Sequence, residues 1–169
     1  MRALGVDPGT ATTGYGVVDQ DGADISAVAY GCIVTSAAAT LPERLLSIHQ
    51  ELGMLVDRYR PDVVAVEQLF FSKNVQTAFS VGQARGVVLL TVSQRGLTVY
   101  EYTPPQVKLA TVGYGSATKE QMQLMIQRLL GLPSPPHPDD AADALAIAVC
   151  HLRGESLRAS IQRAVRQLR

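Results

Sequence analysis

The chain predicts an α/β fold: a five-stranded mixed sheet, three antiparallel strands then two parallel ones, flanked by helices. Three observations carry this. Ala3-Leu4-Gly5-Val6 and Val63-Val64-Ala65-Val66 are short apolar runs without polar alternation, the pattern of strands buried on both faces. Each ends in one acid, Asp7 and Glu67. Longer stretches with helical apolar spacing separate the later strands, and such crossovers make neighbouring strands parallel.

The elements follow in order. Pro8-Gly9 turns the chain after Asp7. Gly14-Tyr15-Gly16-Val17-Val18 starts a second strand, Asp21-Gly22 is a hairpin signal, and Ile25 to Thr35 reads as a third strand. Thr40 with Glu43 forms a capping box for a helix whose apolar face is Leu41, Leu45, Ile48, Leu52, Leu55, Val56 and Tyr59. Pro61-Asp62 leads into the Val63 strand. Phe70 to Asn74 is a loop, and Val75 to Gln94 a long helix with little polar surface and the small residues Gly82, Ala84 and Gly86. Its two apolar faces suggest one on the sheet and one on a second subunit, or else full burial within the monomer.

Leu97 to Tyr102 is the fifth strand. Thr103-Pro104-Pro105 opens a short helix carrying Lys108. Gly113 to Ser116 is a loop, and Thr118 with Gln121 caps a helix with core positions Met122, Met125, Ile126, Leu129 and Leu130. Gly131 and Pro133 stop it. Asp139 is the expected N-cap of the last packed helix, which reaches Leu152. Residues 153–169 hold five Arg and one Glu, either a solvated or frayed end or a contact for an anionic partner.

Composition narrows the function. The 169 residues suit one core, and 47% hydrophobic with 18% charged content is globular. No long apolar span or signal pattern is present, so a soluble cytoplasmic protein is expected, without membrane association. Fifteen basic residues balance fifteen acidic ones, which argues against a basic nucleic-acid coat protein but not against a nucleic-acid enzyme with an acidic centre. Cys32 and Cys150 lack metal-ligand spacing and read as reduced core residues. His49 and His151 are expected at the surface and at a helix end, and His137 in a loop.

The acids set the chemistry. Asp7 alone could be a turn residue. If the first and fourth strands are parallel neighbours, Asp7 and Glu67 share one edge of the sheet. Asp140 and Asp143, three apart in the first turns of a helix, face one way. They could simply complement the helix dipole. Yet Asp143 lies in an alanine-rich turn that must pack closely, where a lone carboxylate is costly. Two such charges about 4 Å apart repel by roughly 4 kcal/mol at an effective dielectric near 20. No lysine or arginine in these segments offers an obvious partner. All-oxygen ligands select Mg²⁺ or Mn²⁺, and a pair of such ions suits phosphodiester hydrolysis. Lys119 at a helix start is a phosphate-site candidate, with Lys73 and Lys108 near loops at strand ends. Arg85, on the long apolar helix, could serve an interface.

Taken together, these segments resemble the bacterial RuvC Holliday junction resolvases. The motifs are Gly5-Val6-Asp7-Pro8-Gly9-Thr10, Thr13 to Val17, Val66-Glu67-Gln68-Leu69-Phe70, Lys73-Asn74, Gly82 to Gly86, Gln106-Val107-Lys108, Val112 to Gly115, Lys119 and Asp140 to Ala146, in order from about residue 2 to about residue 151. The resemblance implies a ribonuclease H-like fold, with a nuclease domain over 1–152 and a basic tail over 153–169. It implies a homodimer that binds four-way junction DNA and cuts two opposed strands symmetrically, in recombination and repair. It assigns catalysis and metal binding to Asp7, Glu67, Asp140 and Asp143, with about two Mg²⁺ or Mn²⁺ ions per site. DNA contacts fall on Phe70, which would stack on a base at the junction centre, and on Lys73, Lys108 and Lys119. For that homodimer, the long apolar helix itself offers Gly82, Arg85 and Gly86 as the interface candidates. RuvA, a junction-binding protein, and RuvB, a ring-shaped motor, are the implied partners. Some relatives carry histidine at the position of Asp140.

Two rival readings are weighed. Actin-like ATPases and sugar kinases also begin with Asp-x-Gly-Thr, but they need a second lobe for which 169 residues are too few. A module that binds structured DNA without cutting it would not need four acids.

Overall fold

Strands β1 (Arg2–Asp7), β2 (Thr12–Asp21) and β3 (Asp24–Val34) form an antiparallel meander, and β4 (Val63–Glu67) and β5 (Thr98–Tyr102) run parallel to β1. The sheet order is β3-β2-β1-β4-β5, and the three antiparallel and two parallel strands are those the sequence predicts. Gly22, at φ 58°, makes the tight link between β2 and β3. This computed structural model describes residues 1–68 and 75–167. The expected loop with Phe70 and Lys73 lies outside the described residues.

Helices α1 (Leu41–Tyr59) and α2 (Val75–Ser93) cover one face. There Ile48, Leu52 and Val56 meet Ala84, Val88 and Val92 over Leu4, Val6, Val64 and Val66. Helices α3 (Pro104–Val112), α4 (Lys119–Leu129) and α5 (Asp139–Gln167) cover the other. Val107, Met122, Ile126 and Leu145 pack there with Ala3 and Ala65. Because side chains alternate along a strand, Ala3, Gly5 and Asp7 all point toward α5.

The expected caps are present. Thr40 N–H donates to Glu43 Oε2 at 2.7 Å, and Thr118 N–H to Gln121 Oε1 at 2.9 Å. Leu41 departs from its expected core face and stays exposed in the first turn of α1.

Helix α5 lies almost on the sheet. A Cβ on Gly5 would sit 2.0 Å from the Ala144 carbonyl oxygen, and one on Gly14 would sit 2.0 Å from the Asp140 carbonyl oxygen. Only glycine permits this approach, and Ala144 and Ala148 are the small residues that meet Gly5. The helix starts at Asp139 rather than after it, with Pro138 O accepting from Ala141 N–H and Ala142 N–H. Asp139 is therefore not the expected N-cap, and its Oδ1 accepts from Gln123 Nε2 at 2.8 Å. The helix also continues past Leu152 to Gln167 without a break.

His151 overturns the expectation of a helix-end position. It is 1% exposed. Its Nδ1 pairs with Tyr102 Oη at 2.8 Å, and its ring lies 4.4 Å from that of Tyr100. Its Nε2 is buried without a partner among the described residues. Burial holds its pKa below the ordinary histidine value. Cys32 and Cys150 are both free thiols, as expected.

Gly5→Ala and Gly14→Ala are predicted to lose about 1–3 kcal/mol or more, because the helix must lift off the sheet. Urea midpoints measure this, and an unchanged midpoint would mean the approach is not required.

Candidate active site

The β1–β4 register pairs Val6 with Val66. Asp7 and Glu67 follow one residue later on parallel neighbours, so their carboxylates emerge side by side. Gly14 of β2 lies opposite Asp7 in the ladder, and Asp140 of α5 rests on Gly14. Asp143 is one turn further along. The glycine contact thus brings the helix acids to the strand acids.

All four carboxylates line one cavity of about 370 Å³. Pro104, Val107 and Met122 supply apolar walls, and Lys108 and Lys119 the cationic side. Burial first, then the charges of Glu67, Asp143 and Asp140, push the Asp7 carboxyl up to about 8. Burial and Asp143 push Glu67 up to about 7, although a hydrogen bond with Asp7 opposes this. Asp143 is raised as well, by burial and by the neighbouring acids, against the pull of Lys119. These shifts mark negative charge held where water cannot screen it.

Lys119 corrects the expectation that no cation pairs with these acids. Its Nζ stands 3.6 Å from Asp143 Oδ2 and 3.8 Å from Asp139 Oδ2. Asp143 above all raises its pKa. Lysine thus supplies part of the counter-charge. Among the described residues, no three His, Cys, Asp or Glu side chains stand in an arrangement that would already hold a metal ion. The four carboxylates share the cavity with the ammonium groups of Lys108 and Lys119. The donor set nevertheless fits a hard divalent cation: only oxygen ligands, with Asp7 and Glu67 raised by burial and by neighbouring negative charge that a cation would offset.

Sequence reasoning missed Cys32, which pairs with Gly14 across β2 and β3. Its thiol is raised by burial and by Asp140 and Asp7, and it accepts from the Ala141 N–H. The regular hairpin count from Asp21 and Asp24 would place Gly31 there, and only the register shift between Val17 and Val18 brings Cys32 opposite Gly14.

The expected interface residues lie on α2. Gly86 is exposed, Gly82 is half-buried, and Phe79 and Leu90 are 70% and 55% exposed along the same helix. Arg85 pairs with Glu101 of β5 within the chain.

A family model described as crossover junction endodeoxyribonuclease RuvC matches residues 3–151. A protein of that name from Syntrophomonas wolfei is 51% identical over 162 residues, covering 96% of this chain and 94% of its own length. One from Chloroflexus aggregans is 57% identical over 151 residues, covering 89% and 92%. The T. thermophilus RuvC in complex with a Holliday junction substrate superposes with a TM-score of 0.88 at 39% identity, covering 93% of this chain and 96% of the other.

In chelator, Asp7→Asn is predicted to melt higher than the parent at neutral pH, by about 3 °C or more. Folded Asp7 keeps its proton up to about pH 8, while the unfolded carboxyl loses it near 3.8. Rising pH therefore costs the parent stability across this window, and the advantage of the variant grows with it. Melting curves at several pH values check this, and an advantage that does not grow with pH would contradict it.

Proposed function

The chain belongs to the crossover junction endodeoxyribonuclease RuvC family, whose members act on phosphodiester bonds, and we propose how its own residues carry that activity. It resolves Holliday junctions by paired, symmetric nicks in opposing strands, during homologous recombination and repair in the cytoplasm. The observation that supports this reading best is the single cavity in which four acids from β1, β4 and α5 face two lysines from α3 and α4.

Asp7, Glu67, Asp140 and Asp143 would hold Mg²⁺ or Mn²⁺, two ions per active site. When bound, such ions supply Lewis-acid charge to the phosphodiester and to the attacking water. The chain's own groups do the rest. Lys108 and Lys119 bind the phosphates flanking the scissile one and set its depth in the cavity. The Lys119 ammonium, 3.6 Å from Asp143 Oδ2, would be available to a phosphate oxygen where a bound cation neutralised that carboxylate. Pro104, Val107 and Met122 exclude bulk water on one side, which strengthens every charge interaction inside. Hydrolysis forms one phosphorus–oxygen bond to water and breaks the one to the departing strand.

Two opposed cuts need two identical sites related by a two-fold axis, and an isologous homodimer supplies them. The exposed apolar side of α2, with Phe79, Gly86 and Leu90, supports an interface there. Arg85, held by Glu101, would border it with Gly82. Phe70 is assigned to the junction centre by resemblance and Lys73 to DNA contact, and residues 153–169 are read as a basic tail. RuvA and RuvB are the proposed protein partners.

Incubation of a synthetic mobile junction with protein and Mg²⁺ is predicted to give symmetric nicks that chelator abolishes. ATP turnover without nicking would favour a kinase-like enzyme, and binding without nicks a non-catalytic module. Asp7→Asn is predicted to keep junction binding and lose nicking by more than about 100-fold. Near-normal nicking would remove Asp7 from the site. Lys119→Ala is predicted to reduce the slope of log affinity against log salt by about 1. An unchanged slope would remove its phosphate contact.

A further inference from the structure

One exposed aromatic, on the loop that joins the two lysine-bearing helices, has no part in the chemistry above. Tyr114 sits in the loop between α3 and α4 and is 44% exposed. Glycines flank it, and Gly113, at φ 93°, closes α3 by donating to the Leu109 carbonyl at 3.0 Å. At the other end Ala117 is buried at 2% exposure, and Thr118 caps α4. The loop is therefore pinned at both ends while its middle stands in solvent. Each helix it joins contributes a lysine to the cavity, Lys108 from α3 and Lys119 from α4. Five residues of chain hold the Tyr114 Cα within about 17 Å of that of Lys119. This is a span of about five nucleotides along a strand.

The surroundings of Tyr114 match a nucleic-acid surface. Leu109, which follows Lys108 in α3, is 60% exposed, so this helix also presents an apolar side chain at its surface. Aromatic faces beside a cationic groove are how proteins hold unpaired bases, because every base offers a π-face and no sequence is required. An intact duplex keeps those faces stacked. A junction exposes them where its arms part.

We propose that Tyr114 is a substrate-positioning residue that stacks on a base left unpaired beside the crossover, favouring junction over duplex and holding the strand while Lys108 and Lys119 grip its phosphates. The inference rests on the proposed junction-cutting function. The ring supplies the interaction, so phenylalanine should replace tyrosine and alanine should not.

The chain contains no tryptophan, so Tyr114→Trp places one fluorophore in the loop. Its emission is expected to be quenched by saturating junction DNA and far less by duplex of the same length. Tyr114→Ala is expected to weaken junction affinity about tenfold and raise KM more than it lowers kcat. It should leave the salt slope and the melting temperature unchanged, since no charge and no core contact is removed. Tyr114→Phe is expected to restore both affinity and KM. Unmoved tryptophan emission on a saturated junction, or Tyr114→Ala binding and nicking like the parent, would overturn the inference while leaving the function intact. A parent protein that neither binds nor nicks junctions would overturn the function and this inference with it.

Discussion

The structure depends on a backbone-to-backbone contact between α5 and the middle of the sheet. Gly5 and Gly14 carry no side chain where α5 crosses, and the helix answers with alanines. This contact does more than fill the core. It sets the height of the helix above the sheet, and that height decides whether Asp140 and Asp143 reach Asp7 and Glu67. A methyl group at Gly14 would collide with the carbonyl of Asp140 itself. Packing and chemistry therefore share the same few atoms.

The cost of the contact is electrostatic. Acids from two strands and a helix meet where burial denies them water, and their proton affinities rise accordingly. Lys119 offsets part of the charge, but one ammonium cannot match four carboxylates. A fold that keeps such a group together gives up stability for a site that welcomes divalent cations. The two lysines lining the cavity extend that preference from ions to phosphates.

Much of this was legible in the residues. Asp7 and Glu67 close apolar runs, so their place at strand ends follows from the pattern, and parallel pairing follows from the helical crossover between them. Thr40, Thr103 and Thr118 announce their helices by local capping chemistry. Other features depend on what packs against what, which no local pattern carries. Lys119 lies far along the chain from Asp7 and Glu67, so its pairing with Asp143 needed the packing of α4 on α5. His151 reads as polar, but the rings of Tyr100 and Tyr102 enclose it. Asp139 has the right residue type for a cap, yet Gln123 of the neighbouring helix claims its side chain. The four acids were readable as candidates. Their gathering at one place was also an expectation, resting on parallel first and fourth strands, and one cavity holds all four; the closeness of α5 that Gly5 and Gly14 permit was not readable.

The most direct test is to soak crystals of the protein in Mn²⁺ and map its anomalous scattering. The account predicts a peak inside the cavity bounded by Asp7, Glu67, Asp140 and Asp143, with the carboxylates drawn in around it and Lys119 displaced from Asp143. A peak elsewhere on the molecule, or an empty cavity at saturating Mn²⁺, would contradict it.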